Sequence, residues 1–143
     1  MRKATNADVN ALLKIEEESF SEFKLSRASF YYHIKRNFLV VYEKNGEILG
    51  YALVFTYLKT PRIYSIAVSK SSRNLGVGSE ILNYLTTKFN SLRLEVRSDN
   101  KTAINLYKKF GFKVIKILPN YYENCDGLKM KFQNMKCKNL NNS

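Results

Sequence analysis

The sequence predicts a single α/β domain built on a mixed, mostly antiparallel sheet flanked by helices. Three observations predict it. Segments with apolar residues at helical spacing alternate with short β-branched runs. An Asn45-Gly46 pair sits between two of those runs, the strongest short hairpin signal. The chain has 143 residues and is 45% hydrophobic, enough for one substantial core.

The elements follow in order. Arg2-Lys3-Ala4 can form a short first strand. Thr5-x-x-Asp8 resembles a capping box and opens a helix with Val9, Leu12 and Leu13 on its buried face, ending near Glu18. A second helix starts after Ser26 and carries Phe30, Tyr31 and Ile34 on one face. Phe38 to Tyr42, Ile48 to Tyr57 and Arg62 to Val68 then form an antiparallel meander, with Pro61 breaking the chain before the third strand. A loop from Ser69 to Leu75 leads to a helix from Val77 to Phe89, with Ile81, Leu82, Leu85 and Phe89 inward. Leu92 to Val96 is a strand. Asn100 can cap a helix that buries Ala103, Ile104, Tyr107 and Phe110, closed by Gly111. Val114 to Leu118 reads as a strand, Pro119 to Asp126 as a loop and Leu128 to Phe132 as the last strand. The domain is expected to occupy residues 1–132, and the polar tail 133–143 to be disordered.

Charge narrows the function. The net charge is +12, and the stretch from Lys59 to Lys138 holds 16 basic and 5 acidic residues. An anionic partner fits this, and so does a solvated lysine-rich surface. Cys125 and Cys137 match no zinc or redox spacing, which points to free thiols in a reducing compartment. No signal peptide and no membrane-length apolar run is visible, so a cytoplasmic protein without a membrane partner is expected.

The most informative feature is Arg73-Asn74-Leu75-Gly76-Val77-Gly78-Ser79, between the strand Ser65 to Val68 and an amphipathic helix. Unpaired N–H groups and the positive end of the dipole lie at such a helix start and suit a pyrophosphate. Gly-x-Gly alone could equally be a tight turn. It is not a Walker loop, since Gly-Lys-Ser/Thr is missing, nor a dinucleotide fingerprint, since the third glycine and the βαβ context are missing.

In its strand context, Ile66-Ala67-Val68 followed by Arg-x-x-Gly-x-Gly resembles the coenzyme A signature of the GNAT superfamily. The resemblance continues in Leu94-Glu95-Val96-Arg97-Ser98-Asp99-Asn100, Ala103-Ile104, Leu106-Tyr107, Gly111-Phe112 and Tyr121-Tyr122-x-Asn124. Together these blocks are similar to the ribosomal-protein-alanine N-acetyltransferases, which acetylate protein N-termini. The resemblance implies the GNAT acyl-CoA N-acyltransferase fold, with the sheet splayed at the coenzyme site. It implies acetyl-CoA as cosubstrate and no metal. It implies Ile66, Ala67, Val68, Arg73, Asn74, Leu75, Gly76, Val77, Gly78, Ser79 and Asn100 as coenzyme contacts. Asn100 suits an N-cap equally well. Relatives often have further arginines where Asn74 and Ser79 stand, so Lys101, Lys108 and Lys109 are candidates to help the phosphates, as well as ordinary solvated lysines.

The resemblance also implies Glu95 as general base and Tyr107 as general acid. From the residues alone, Glu95 could equally be a salt-bridged or solvent-facing carboxylate, and Tyr107 a core residue. An α-amine with a pKa of about 7.7–8.0 must lose a proton before attacking the thioester, and Glu95 could take it through a water. A backbone N–H near Val68 could stabilise the oxyanion. Tyr107, with a pKa of about 10, could protonate the leaving thiolate. Neither Cys125 nor the sole histidine, His33, has an evident partner for a covalent route. Direct attack in a ternary complex is therefore expected.

Tyr121 and Tyr122 are candidate substrate contacts or ordinary loop packing. The segment after them departs from the family: Glu123-Asn124-Cys125-Asp126-Gly127 replaces Asn-Gly-Glu-Asp, so peptide preference stays open, and Phe20 to Leu25 lacks the family's proline and tryptophan. The expected acceptor is a protein N-terminus, such as that of a ribosomal protein. The alternatives are a lysine or small amine in the same fold, or a non-catalytic module holding RNA or the ribosome. No nucleic-acid motif, and no RNP-like aromatic string, supports a specific nucleic-acid partner.

Overall fold

The computed structural model describes residues 1–21 and 24–134. The expected tail lies outside these residues from position 135 onward, as does Cys137. The elements are β1 (Arg2–Lys3), α1 (Val9–Ser19), α2 (Arg27–Arg36), β2 (Phe38–Lys44), β3 (Glu47–Phe55), β4 (Arg62–Val68), α3 (Val77–Lys88), β5 (Ser91–Arg97), α4 (Lys101–Lys109), β6 (Lys113–Tyr122) and β7 (Cys125–Gln133). The strands form a seven-stranded sheet in the order β1-β2-β3-β4-β5-β7-β6. Among the described residues, no helix is long and apolar enough to cross a membrane. The chain forms two compact units: Met1–Lys59 with Ile63–Ile81, and Thr60–Arg62 with the chain from Leu82 onward.

In the first unit, β1, β2 and β3 pair antiparallel. Asn45 and Gly46 both adopt positive φ (53° and 79°), the conformation a two-residue hairpin turn requires. The Ser69 N–H donates to the Leu49 carbonyl, and Phe55 stacks on Tyr64, so β4 runs antiparallel to β3. Leu12, Ile15, Phe30, Leu39, Val41, Tyr51 and Leu53 form the core. The opposite face of β3 meets the start of α3 at Gly50. A Cβ there would stand 3.0 Å from the Ala67 carbonyl oxygen and 3.0 Å from Ile81 Cδ1.

Two helix starts follow their sequence signals. The Thr5 N–H donates to Asp8 Oδ2 at 2.8 Å, closing the reach-back half of the box over a 3₁₀ turn at Asn6–Asp8. The Arg2 guanidinium grips the same carboxylate through both oxygens and holds the Asp8 pKa below its usual range. Ser26 Oγ accepts from the Ser29 N–H and caps α2. The expected inward face of α2 needs correction. Phe30 is buried and Ile34 packs against the core, but Tyr31 is 41% exposed. One step along a helix turns the side chain by about 100°, and the half-buried residue is His33, at i+3 from Phe30.

In the second unit, β5 and β6 each pair antiparallel with β7. Leu92, Leu94 and Val96 of β5 are buried. At the start of β4, Arg62 pairs in parallel with Arg93 of β5, and the Arg93 N–H donates to the Pro61 carbonyl. The expected loop from Pro119 to Asp126 is overturned: both strands extend into it, and Tyr122 pairs with Cys125. Turn-forming residues are accommodated inside the ladder. Pro119 sits on the outermost strand, where its missing N–H costs little. Asn120 (φ 52°) occupies the register shift between Leu118 and Tyr122, and Asn124 (φ 57°) the tight turn. Gln133 still pairs with Ser91, so the ordered strand runs past Phe132.

Candidate active site

The first unit carries the phosphate-loop candidates. β4 ends at Val68, a 3₁₀ turn covers Lys70–Ser72, and the chain enters α3 through Asn74 (φ 65°) and Gly76 (φ 83°). Gly76 takes a left-handed backbone that costs other residues energy. Its carbonyl accepts the first helical bond, from the Glu80 N–H at 3.0 Å. The amides of Val77, Gly78 and Ser79 therefore precede the first intrahelical donor and lie at the positive end of the α3 dipole. Leu75 is 73% exposed at the loop tip.

Two features of this loop were not visible in the sequence. The Arg73 guanidinium points to the carboxyl end of α1, donating to the Glu18 carbonyl at 3.1 Å and Ser19 Oγ at 3.3 Å. A cation is favoured at that end of a helix. In this structure Arg73 therefore fastens the loop to α1. The Ser69 hydroxyl is buried and has no hydrogen-bond partner among the described residues. A buried hydroxyl without a partner carries a desolvation penalty that a ligand's polar atom would relieve. Together with the open helix start, it fits an anionic, amide-rich ligand such as a coenzyme A arm.

A buried polar chain links α1, β3 and β4. Glu16 bonds the Tyr51 hydroxyl and accepts from the Leu25 N–H at 2.8 Å, and Tyr51 also bonds Ser65 Oγ at 2.8 Å. Burial pushes the Glu16 carboxyl up, against the Leu25 N–H and the Lys24 charge.

The second unit carries the proton-transfer candidates, and it brings them together. Glu95 sits mid-strand in β5 with its side chain 8% exposed. The Arg62 Nε donates to Oε2 at 2.8 Å, and the Arg93 Nη1 to Oε1 at 2.9 Å. Two guanidiniums thus fix the carboxylate plane. Each oxygen can accept two bonds, so one site per oxygen remains beyond these two contacts. The Arg93-x-Glu95-x-Arg97 alternation puts all three on one strand face, a signal the sequence reading missed. Arg62 is 33 residues from Glu95 and carried no such signal.

Tyr107 leans on Phe112, with ring centroids 5.8 Å apart, and Phe112 on Phe132. Burial first, and then the proximity of Tyr122, push the Tyr107 phenol up to about 12. Tyr122 also rises to about 12, through burial and then Tyr121 and Glu95, with Arg62 and Arg97 opposing. Tyr121 and Tyr122 meet edge to face, and the Arg97 guanidinium lies over the Tyr122 ring. Tyr122 therefore lies in the field of Glu95, and Tyr107 in that of Tyr122.

Asn100 caps α4, accepting from the Ala103 N–H at 3.2 Å through Oδ1, which leaves its amide group for other contacts. Lys101, Lys108 and Lys109 are exposed. Cys125 Sγ is 3.4 Å from Ser98 Oγ, beside the hairpin turn. His33 is far from this group in sequence and belongs to the first unit, bonded to Asn37.

Comparison with known proteins agrees with this architecture. Residues 9–112 match the model of the Acetyltransferase (GNAT) family. The chain is 33% identical to an N-alpha-acetyltransferase of Sulfurisphaera tokodaii over 142 residues, spanning 85% of this chain and 84% of the relative. It is 31% identical to a putative [ribosomal protein bS18]-alanine N-acetyltransferase of Bacillus subtilis, over 80% of this chain and 81% of that one. The crystal structure of the ribosomal-protein-S18-alanine N-acetyltransferase from Escherichia coli superposes with a TM-score of 0.82 at 26% identity, covering 92% of this chain and 91% of that one. The chain belongs to the GNAT acetyltransferase family and is an acetyl-CoA-dependent N-acetyltransferase.

Proposed function

We propose that this enzyme acetylates the α-amine of protein N-termini, ribosomal proteins among them, by direct attack on acetyl-CoA in a ternary complex in the cytoplasm. The observation that carries the chemistry is a carboxylate held by two guanidiniums, with the half-buried phenol of Tyr122 in its field and that of Tyr107 next to Tyr122. The choice of acceptor rests on the likeness to proteins named N-alpha-acetyltransferase and ribosomal-protein-alanine acetyltransferase.

Acetyl-CoA supplies a thioester whose carbonyl is open to attack and whose sulfur can leave. The amides of Gly76, Val77, Gly78 and Ser79, with the loop residues Asn74 and Leu75, hold the pyrophosphate. Ile66, Ala67 and Val68 hold the pantetheine arm, with a backbone N–H near Val68 donating to the acyl oxygen, and the Ser69 hydroxyl donates to the arm. Arg73 acts through the loop position, and Asn100 offers its amide group. Glu95 takes a proton from the ammonium of the acceptor, directly or through a water, with Arg62 and Arg93 fixing its orientation. Tyr107 presents its O–H to the leaving sulfur. Tyr121 and Tyr122 line the acceptor side. This reading assigns no metal. The catalytic domain is the expected one, extended past residue 132 by the pairing of Gln133 with Ser91.

The acceptor is tested with paired peptides: one with a free N-terminus, the other N-blocked with an internal lysine. Mass spectrometry locates the acetyl group. Acetylation of the free α-amine is expected. Transfer confined to lysine, or to small amines, rejects the acceptor and leaves the family intact.

The base is tested with Glu95→Gln. The α-amine has a pKa of about 7.7–8.0, so below that value most acceptor is protonated and needs a base. The rate loss should therefore be largest at acid to neutral pH and shrink as pH rises above 8. The variant also leaves two half-buried guanidiniums without their anion, at a cost of about 1–3 kcal/mol in stability. A thermal melt measures that separately. A rate loss equal at every pH would make Glu95 a structural carboxylate only.

A further inference from the structure

We propose that the aromatic surface formed by Tyr32, His33, Phe55, Tyr57 and Tyr64 is a platform for single-stranded RNA. The sequence scatters these residues over α2, the end of β3 and β4, and the fold of the first unit gathers them. Phe55 is the hub: it stacks on Tyr64 with centroids 4.8 Å apart and on Tyr57 at 5.8 Å, and meets His33 at 5.5 Å. Tyr32 meets His33 edge-on at 5.3 Å. Phe55 also packs against the core, so the row is anchored from below. Its outer members are open: Tyr57 is 74% exposed, Tyr32 55% and Tyr64 40%.

The charge pattern says what would cover this surface. No acidic residue lies between Lys24 and Glu43, or between Glu47 and Glu80, so every segment that builds the platform is free of carboxylates. The Arg36 guanidinium lies over the Tyr32 ring at 5.5 Å, and Lys35 and Lys59 are exposed on the same segments. Planar rings beside cations favour a polyanion with unstacked bases, since stacking serves any base and the cations serve the phosphates. Exposed aromatic rings and arginine serve protein partners too, and it is the lack of carboxylates on these segments, with Arg36, Lys35 and Lys59 among the rings, that selects a polyanion. The exposed tyrosines place hydroxyls at the ring edges, where a ribose 2′-hydroxyl can bond them. Tyr57 follows the end of β3 and is outside the acyl-transfer residues, so acetylation of a short peptide should not need its ring.

The test is fluorescence anisotropy with a labelled oligouridine of about 12 nucleotides, which is within the usual span of a single-strand site. Tyr57→Ala and Tyr57→Leu should each weaken binding about tenfold, and Tyr57→Phe should keep the stacking while narrowing the preference for RNA over the matching oligothymidine. Arg36→Ala should weaken binding and lower the salt slope by about one. Melting temperature and peptide acetylation should not change in the Tyr57 variants. Several outcomes overturn the proposal. Absence of binding at low salt is one, and unchanged affinity in both Tyr57→Ala and Tyr57→Leu is another. Tighter binding of the matching oligothymidine overturns the choice of RNA. A self-association seen by sedimentation and lost in Tyr57→Ala assigns the surface to a second copy instead.

Discussion

Tyr107→Phe is expected to lower kcat about 10²- to 10³-fold with little change in KM, the loss typical of removing one donor to a developing negative charge. The family resemblance implies a general acid, and the raised phenol pKa refines how the residue works. With Tyr107 near 12 and a thiol near 8.5, full proton transfer from the resting phenol to a free thiolate runs uphill by roughly a thousandfold. On the proposed mechanism Tyr107 presents its O–H to the sulfur while the bond breaks, and the proton balance is closed by the one the acceptor amine gives up. Phenylalanine keeps the packing on Phe112, so the variant should fold. Steady-state kinetics with a peptide acceptor checks this. Near wild-type turnover in a folded variant would leave Tyr107 as a core residue.

Gly78→Trp is expected to abolish acetyl-CoA binding. Gly78 is the second residue of α3, among the amides that precede the first helical bond. A large side chain there would fill the space an anion needs against the helix start. The hydrophobic positions of α3, such as Ile81 and Leu85, are untouched, so the fold should survive. Calorimetry measures the affinity and a melt the stability. Unchanged affinity in the folded variant would remove the pyrophosphate from this loop.

Much of this was legible because the informative signals are local. Asn45-Gly46 needs two positive φ angles and nothing distant. Ser26 and Asn100 cap helices three residues away. The Arg-x-x-Gly-x-Gly loop and the block from Leu94 to Asn100 are contiguous, so a resemblance could be read along the chain. What escaped depends on long-range contact. The partner of Glu95 across the β4–β5 start, Arg62, is fixed by strand pairing. Arg73 reads as a phosphate ligand in the motif, while its guanidinium also reaches the Glu18 carbonyl and the Ser19 hydroxyl at the end of α1. Pro119, Asn120 and Asn124 read as a loop because their turn chemistry is strong. The outer position of β6 and a register shift let the ladder continue through them. Tyr31 reads inward by hydrophobicity, though the helical angle from Phe30 and Ile34 points to His33 instead.

On the proposed mechanism the acetyl group passes straight from coenzyme to amine. Cys125 is the one free thiol among the described residues, and its sulfur lies against Ser98 Oγ, the Asp126 carbonyl and the Asp99 carboxylate. Intact mass spectrometry of the protein after exposure to acetyl-CoA, before and after addition of a peptide with a free α-amine, tests the claim most directly. The account predicts a protein of unchanged mass at both times and a peptide that gains one acetyl group. An acetylated protein that loses its acetyl group as the peptide gains it would contradict the account and make the enzyme a covalent one.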